Sequence, residues 1–495
     1  MSSPVPRREL SRSLSLRDAI ALLVGTVIGT GVFFKAAPMS QLLGSPGLVL
    51  LAWIAAGILS LAGALTYAEL GAMYPRAGGD YVFLREAYGG FPAFMFGWTN
   101  FAVITTTGLA AIATGFASFL SGLLPLGAIW ASRDLHILGQ TIHWTFGAQQ
   151  VVAVAAILVF SAINSAKVST GGATQSLLTL AKFVGIGAIV LGALFFSHTR
   201  SMANFNLVPG VLLPDSAAII PGAALPPAMS SLTAFGAAMI AALWAFQGWS
   251  NMTMVSGEIE KPQRNVPRGL IYGMLIVLGV YLLVNFAYFY ALPFGEVVSS
   301  NSTAYRTALP VAAKAAGSFL GSAGGKIISI AFLISVMGSL NGIIIMNSRV
   351  PFAMARDGIF FPRLGELNAQ QVPARAIWIE GILGCVLALS GTFDQITTAC
   401  VFAVWIFFAL TAAAVFVLRR KRPGAERPYR VLGYPILPAL FVVVALWLLM
   451  NTLRTNPVES AAGLFLIAIG VPIFVYFRKR ANWITPAERD ARLGR

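Results

Sequence analysis

Gly25-Thr26-Val27-Ile28-Gly29-Thr30-Gly31 puts three glycines and two threonines within seven residues of the first apolar segment of this 495-residue chain. Glycine costs a helix roughly 1 kcal/mol relative to alanine, so three of them at mid-membrane depth invite the helix to unwind. Outward from that stretch, the composition is that of an integral membrane protein, with 57% hydrophobic and 11% charged residues and a mean hydropathy of +0.78. About 20 apolar residues cross a hydrocarbon core of roughly 30 Å. That length predicts twelve spans, at 18–43, 47–73, 93–123, 149–165, 173–197, 231–257, 268–292, 326–350, 374–392, 395–418, 432–453 and 459–477, and an all-α membrane protein.

Charge sets the expected orientation. With the N-terminus inside, 26 of the 34 Lys and Arg residues fall in cytoplasmic segments and 7 in external ones, so both termini are expected in the cytoplasm. The net charge of +16 resides in short juxtamembrane loops, which points to anionic lipid headgroups and away from nucleic acid. Met1 to Arg17 is a polar basic arm with no cleavable signal expected. Cys385 and Cys400 fall within spans, where buried small apolar roles are expected.

A second interruption, Ala245-Phe246-Gln247-Gly248-Trp249-Ser250-Asn251, lies in the middle of span six. Spans one and six each open a block of five, and paired interrupted helices at corresponding positions are the sign of an inverted-repeat secondary transporter. The expected organisation is an arm at 1–17, five-helix repeats at 18–200 and 231–418, two further helices within 432–477 and a tail at 478–495. Loops 124–148, 198–230 and 293–325 read as connectors, the last with a short amphipathic helix around 306–320. Pro75 to Tyr81 reads as a turn leading into an interfacial helix over the inner mouth.

Several motifs together resemble the amino acid/polyamine/organocation (APC) superfamily, and within it the L-type amino acid transporter family and its bacterial relatives. They are Gly25 to Phe33, Tyr67-Ala68-Glu69-Leu70 with Pro75 and Gly78-Gly79-Asp80-Tyr81, Trp244 to Trp249 with Glu258, Pro262, Asn265 and Pro267, and Asn347-Ser348-Arg349 to Arg356-Asp357-Gly358. The resemblance covers spans one to ten, with the last two matched by topology alone. It implies the LeuT fold, a 5+5 inverted repeat plus two C-terminal helices.

Unwinding strips backbone N–H and C=O groups of their helical partners, and in hydrocarbon each must be satisfied. A zwitterionic amino acid can do so. Its carboxylate would take N–H donors near Gly29, Thr30 and Gly31, and its ammonium the carbonyls ending the inner half of span one and the outer half of span six. The resemblance implies the same arrangement, with Val27, Ile28, Thr30 and Gly31 in contact. The alternative is that Gly25 and Gly29 serve only close helix packing.

Trp244 looks like the family's aromatic gate, with Ala245 to Gly248 and Trp249 beside the side-chain pocket; packing is the alternative for Trp249. Phe246 is expected to line that pocket. Gln247 offers a hydrogen bond but no counter-charge, and with no acid counted nearby this favours a neutral side chain. Thr105, Thr106, Thr107, Ser339 and Asn341 lie at mid-membrane depth, Thr106 being the threonine assigned to the site and back-bonding to the helix the common alternative.

Lys182 lies ten residues beyond Gly172 in span five, roughly 15 Å deep at 1.5 Å per residue, too far to snorkel. Glu69 and Glu380 lie near cytoplasmic span ends and Asp394 at an outer turn. The partners expected for Lys182 are therefore the carbonyls around Gly25 and Thr26, with Ser339. Sodium-coupled members of the fold hold a cation between spans one and eight, and the Leu180-Ala181-Lys182 context matches the lysine of sodium-independent relatives. The resemblance thus implies a lysine substituting for the ion. Three roles stay open: a built-in cation for exchange, a proton carrier for symport, and a fixed anchor.

The expected function is exchange of neutral α-amino acids by alternating access without sodium. Proton-coupled symport, transport of cationic amino acids or polyamines, and a non-transporting sensor are the alternatives. His136, His143 and His198 lack the spacing of a metal or acid–base site, so neither an enzyme nor a cofactor is expected. Mammalian relatives join a heavy chain through a cysteine after span three. Residues 124–148 contain none, which implies no such covalent partner and a self-sufficient transporter of a bacterial inner membrane.

Overall fold

A computed structural model describes residues 10–29, 31–121, 123–137, 140–166, 168–206, 231–300, 302, 308–390, 393–455 and 457–480. Among these, eleven helical stretches are long and apolar enough to cross a membrane. The ninth expected span is a 17-residue helix, Ala374–Ser390. Helix flanks carry apolar residues outward: Leu177, Val184, Leu191 and Phe195 recur at helical spacing and stay exposed, the pattern of a lipid-facing stripe. Span one is 71% buried and the last two spans only 28%, so the glycine-rich segment lies at the centre of the bundle.

The first helix, Leu16–Val27, starts at a capping box in which Ser15 and Asp18 each satisfy the other's backbone N–H, at 3.3 and 2.9 Å. It stops where the sequence predicts. Helix resumes at Gly31–Phe34 and continues, beyond Lys35, as Ala36–Leu43. Thr30, assigned to the site, lies outside the described residues. Span six is helical over Ser231–Phe246, breaks at Gln247 and Gly248, and continues as a 3₁₀ helix, Trp249–Glu258. Gly248 has φ +106°, a left-handed backbone that a side chain would strain.

The helices that come after the two breaks, Pro46–Met73 and Pro262–Ala291, form the most extensive helix pair among the described residues and join the halves. The N-terminal arm reaches the same centre. Leu14 pairs with Ile259 as a short parallel bridge, its N–H on the Glu258 carbonyl at 2.9 Å.

Three elements depart from expectation. Span three is interrupted by a π-helical segment, Asn100–Thr105, between Gly90–Thr99 and Thr106–Leu120. Loop 124–148 carries an antiparallel hairpin, Ile129–Ile137 with Gln140–Gly147, where a plain connector was expected. Its β-branched and aromatic residues were the available signal. The amphipathic helix is Val311–Leu320, shorter than expected, and the interfacial helix is Asp80–Tyr88.

Candidate functional site

Both breaks face one cavity. From span one, Thr26, Val27, Gly29 and Gly31 line it. From span six, Trp244, Ala245, Gln247 and Gly248 do so. The breaks pack directly on each other. A Cβ on Gly31 would sit 2.7 Å from Ala245 Cα, so only glycine allows this approach.

The freed carbonyls of span one are taken by side chains from other helices. Lys182, 2% exposed, donates to the Gly25 carbonyl at 2.6 Å and to the Ile28 carbonyl. Ser335 donates to Ile28 O at 3.1 Å and Ser339 to Gly25 O at 3.4 Å. Of the partners expected for Lys182, Gly25 holds, and Ser339 shares that carbonyl instead of bonding the lysine. Ile28 O takes the place given to Thr26, whose buried hydroxyl has no partner.

Tyr281 of span seven donates to Val27 O at 2.8 Å and is 2.7 Å from Ala245 O, bridging the two breaks. Sequence reasoning missed both Tyr281 and Ser335. The carbonyls reserved for a substrate ammonium are thus partly engaged, each retaining one lone pair.

Other assignments change. Ile28 and Phe246 do not line the cavity. The Ile28 side chain is fully buried, and Phe246 packs 4.9 Å from the Tyr281 ring and 6.0 Å from Trp53. Thr106 turns its hydroxyl to the carbonyls of Ala102 (2.8 Å) and Val103 (3.1 Å). Thr107 lines the cavity instead, its buried hydroxyl unpartnered. Trp249 is a packing residue, 4.8 Å from Tyr67 and 5.3 Å from Phe408. Asn341 joins spans four and five, bonded to Asn164 and Gln175 at 2.8 and 2.9 Å.

The two ends of the cavity differ. At the Trp244 end, the Lys35 ammonium stands 4.6 Å over the indole, beside Phe34, which is 5.1 Å from Phe119, itself stacked on Phe332. At the other end Asn100 and Asp80 form part of the wall. The presence of Asp80 corrects the expectation of no acid near the pocket. Asp80 accepts the Tyr67 hydroxyl at 2.5 Å, and burial pushes its carboxyl up to about 6.

Beyond that end, Arg349 pairs bidentately with Glu258, at 2.7 and 2.9 Å, both buried. Arg419 pairs likewise with Glu69, at 2.9 and 2.7 Å, and Arg85 bonds Asp357 and Glu86. Burial raises the Tyr81 hydroxyl above its ordinary value.

A bundle of membrane-crossing helices with two facing breaks around one cavity has the architecture of a membrane transport protein. The sequence profile of the amino acid permease family matches residues 14–475, and the chain belongs to that family, whose members are transporters and not enzymes. The serine/threonine exchanger SteT of Bacillus subtilis (strain 168) is 30% identical, covering 95% of this chain and 98% of its own. The b(0,+)-type amino acid transporter 1 and the cystine/glutamate transporter of Homo sapiens are each 28% identical over 96% of this chain, covering 90% and 87% of theirs.

Proposed function

We propose that this protein exchanges neutral α-amino acids across a bacterial inner membrane without sodium. It would do so through a twelve-span LeuT fold with repeats at 18–200 and 231–418, both termini cytoplasmic and no disulfide-linked heavy chain. The single observation that carries the reading is the Lys182 ammonium on the Gly25 and Ile28 carbonyls, where a fixed positive charge occupies the unwound backbone and leaves no need for an ion. Val27, Gly29, Gly31, Trp244, Ala245, Gln247 and Gly248 are the proposed substrate contacts, with Thr30 beside them in sequence. Gln247 on the cavity wall supports a neutral side chain. The exchanger and amino acid transporter names of the relatives support amino acid exchange.

Reconstituted in liposomes, the purified protein should take up labelled amino acid in sodium-free buffer, faster when the lumen holds unlabelled amino acid. A thermal-shift panel of the twenty amino acids selects the substrate. Strict sodium dependence overturns the reading, and uptake driven by an inward proton gradient into empty liposomes replaces exchange by symport.

A further inference from the structure

We propose that Asp80, with Asn347, forms a second binding point for the substrate's ammonium group, at the end of the cavity away from the helix breaks. This inference rests on the transport reading above and names a step of the same passage.

Asp80 is fully buried and lines the cavity. Its Oδ1 is occupied by Tyr67, while Oδ2 has no hydrogen bond of good geometry; the donor beside it is the Thr411 hydroxyl, whose single proton can fill only one of its lone pairs. Asn347, 2% exposed, lines the same cavity and has a second unpartnered acceptor, Oδ1. Buried polar atoms in folded proteins are nearly always satisfied, so two acceptors with unfilled lone pairs on one cavity point to a ligand that donates. A carboxylate and an amide oxygen suit a positively charged group with several N–H bonds, which is what a primary ammonium supplies. They repel a carboxylate, so the amino acid would lead with its ammonium here.

The place is distinct from the breaks. The Gly78 N–H bonds the Met254 carbonyl at 2.9 Å, which ties the turn before Asp80 to Met254. From Gly248 to Met254 the 3₁₀ helix rises about 2 Å per residue, roughly 12 Å in all. One headgroup cannot bridge that separation. An ammonium leaving the half-engaged carbonyls of Val27 and Ala245 would find Asp80 next on its way out.

The charges around Asp80 leave it available. On the elements packed against it, Glu69 is held by Arg419 and Arg427, Glu258 by Arg349, and Lys421 by the Ala87 carbonyl. On its own helix, Arg85 is held by Glu86 and Asp357, and Tyr81 bonds Asp357. Arg356 and Arg420 are the remaining cations on those elements, and neither contributes to the position of the Asp80 titration, which burial dominates. Above about pH 6 the carboxylate is charged and binds ammonium; below it, the neutral acid does not.

The test compares right-side-out and everted vesicles bearing the full chain, with the amino acid selected by the panel. Asp80→Asn is expected to raise KM about tenfold or more, the scale of one charge-assisted hydrogen bond, from the side that Asp80 faces and to leave the other side unchanged. Asp80→Glu should hold KM near wild type. Wild-type KM on that side should rise as pH falls through about 6, with Asp80→Asn flat. Should Asp80→Asn not fold, the wild-type pH profile decides alone. Equal effects on both sides, a flat wild-type profile, or competition by sodium or potassium overturns the ammonium site while leaving transport intact. A wild type that moves no amino acid overturns both.

Discussion

In the proposed exchanger, Lys182 would do at the level of one residue what a bound ion does elsewhere. Its ammonium is the donor that two freed carbonyls share, and removing it leaves both inside the bundle with the two serine hydroxyls as their remaining partners. Each buried group that loses a partner costs about 1–3 kcal/mol. Lys182→Ala should therefore lower exchange by at least about tenfold, measured as initial rates in liposomes at equal protein content. Unaltered exchange would reduce the lysine to a bystander. Its depth and its Gly25 partner were legible in the sequence, because a lone lysine in an apolar span has few places to go, whereas the Ile28 carbonyl took the place expected for Thr26. Tyr281 was not, since nothing local marks a tyrosine in span seven as the bridge between two distant breaks.

At the scale of elements, broken helices need residues that tolerate the break. Gly248, at φ +106°, gains nothing from a side chain and loses about 1–2 kcal/mol to one. Gly248→Ala should lower the thermal midpoint in detergent and weaken substrate stabilisation, while alanine at the open position Gly279, inside a regular helix, should do neither. Both breaks were readable because glycine and polar residues stand out against apolar neighbours. The π segment was not. Thr107 meets the cavity on the face that Phe96, Asn100, Ile104 and Ala111 also line, a helical spacing that runs through the π segment, while Thr106 points to the neighbouring face. A single wide turn leaves the period of the side chains almost unchanged, so the span reads as continuous in the sequence.

Across the whole molecule, the buried ion pairs among the described residues gather at one end. Arg349 lies just past span eight and Glu258 ends span six, so their bidentate pair ties the broken helix to the helix that Ser335 and Ser339 come from. With both groups nearly unexposed, Arg349→Ala strands a buried carboxylate and should destabilise the fold by about 3–5 kcal/mol. The double variant Arg349→Met with Glu258→Leu should recover much of that loss in thermal unfolding. A double variant as unstable as the single one would show that the pair is not the source of the loss. The general architecture was legible from span lengths and paired breaks, whereas these long-range pairs depend on which helices meet in space.

The tethered ammonium of Lys182 also fixes what the proposed exchanger can accomplish energetically. A cation that belongs to the chain and keeps its proton never crosses the membrane with the substrate, so in the proposed exchange no sodium gradient is spent through it. Such a protein could concentrate one amino acid only by letting another run down its own gradient. It would balance the pools on either side of the membrane without enlarging their sum, and net accumulation would fall to other carriers in the same membrane.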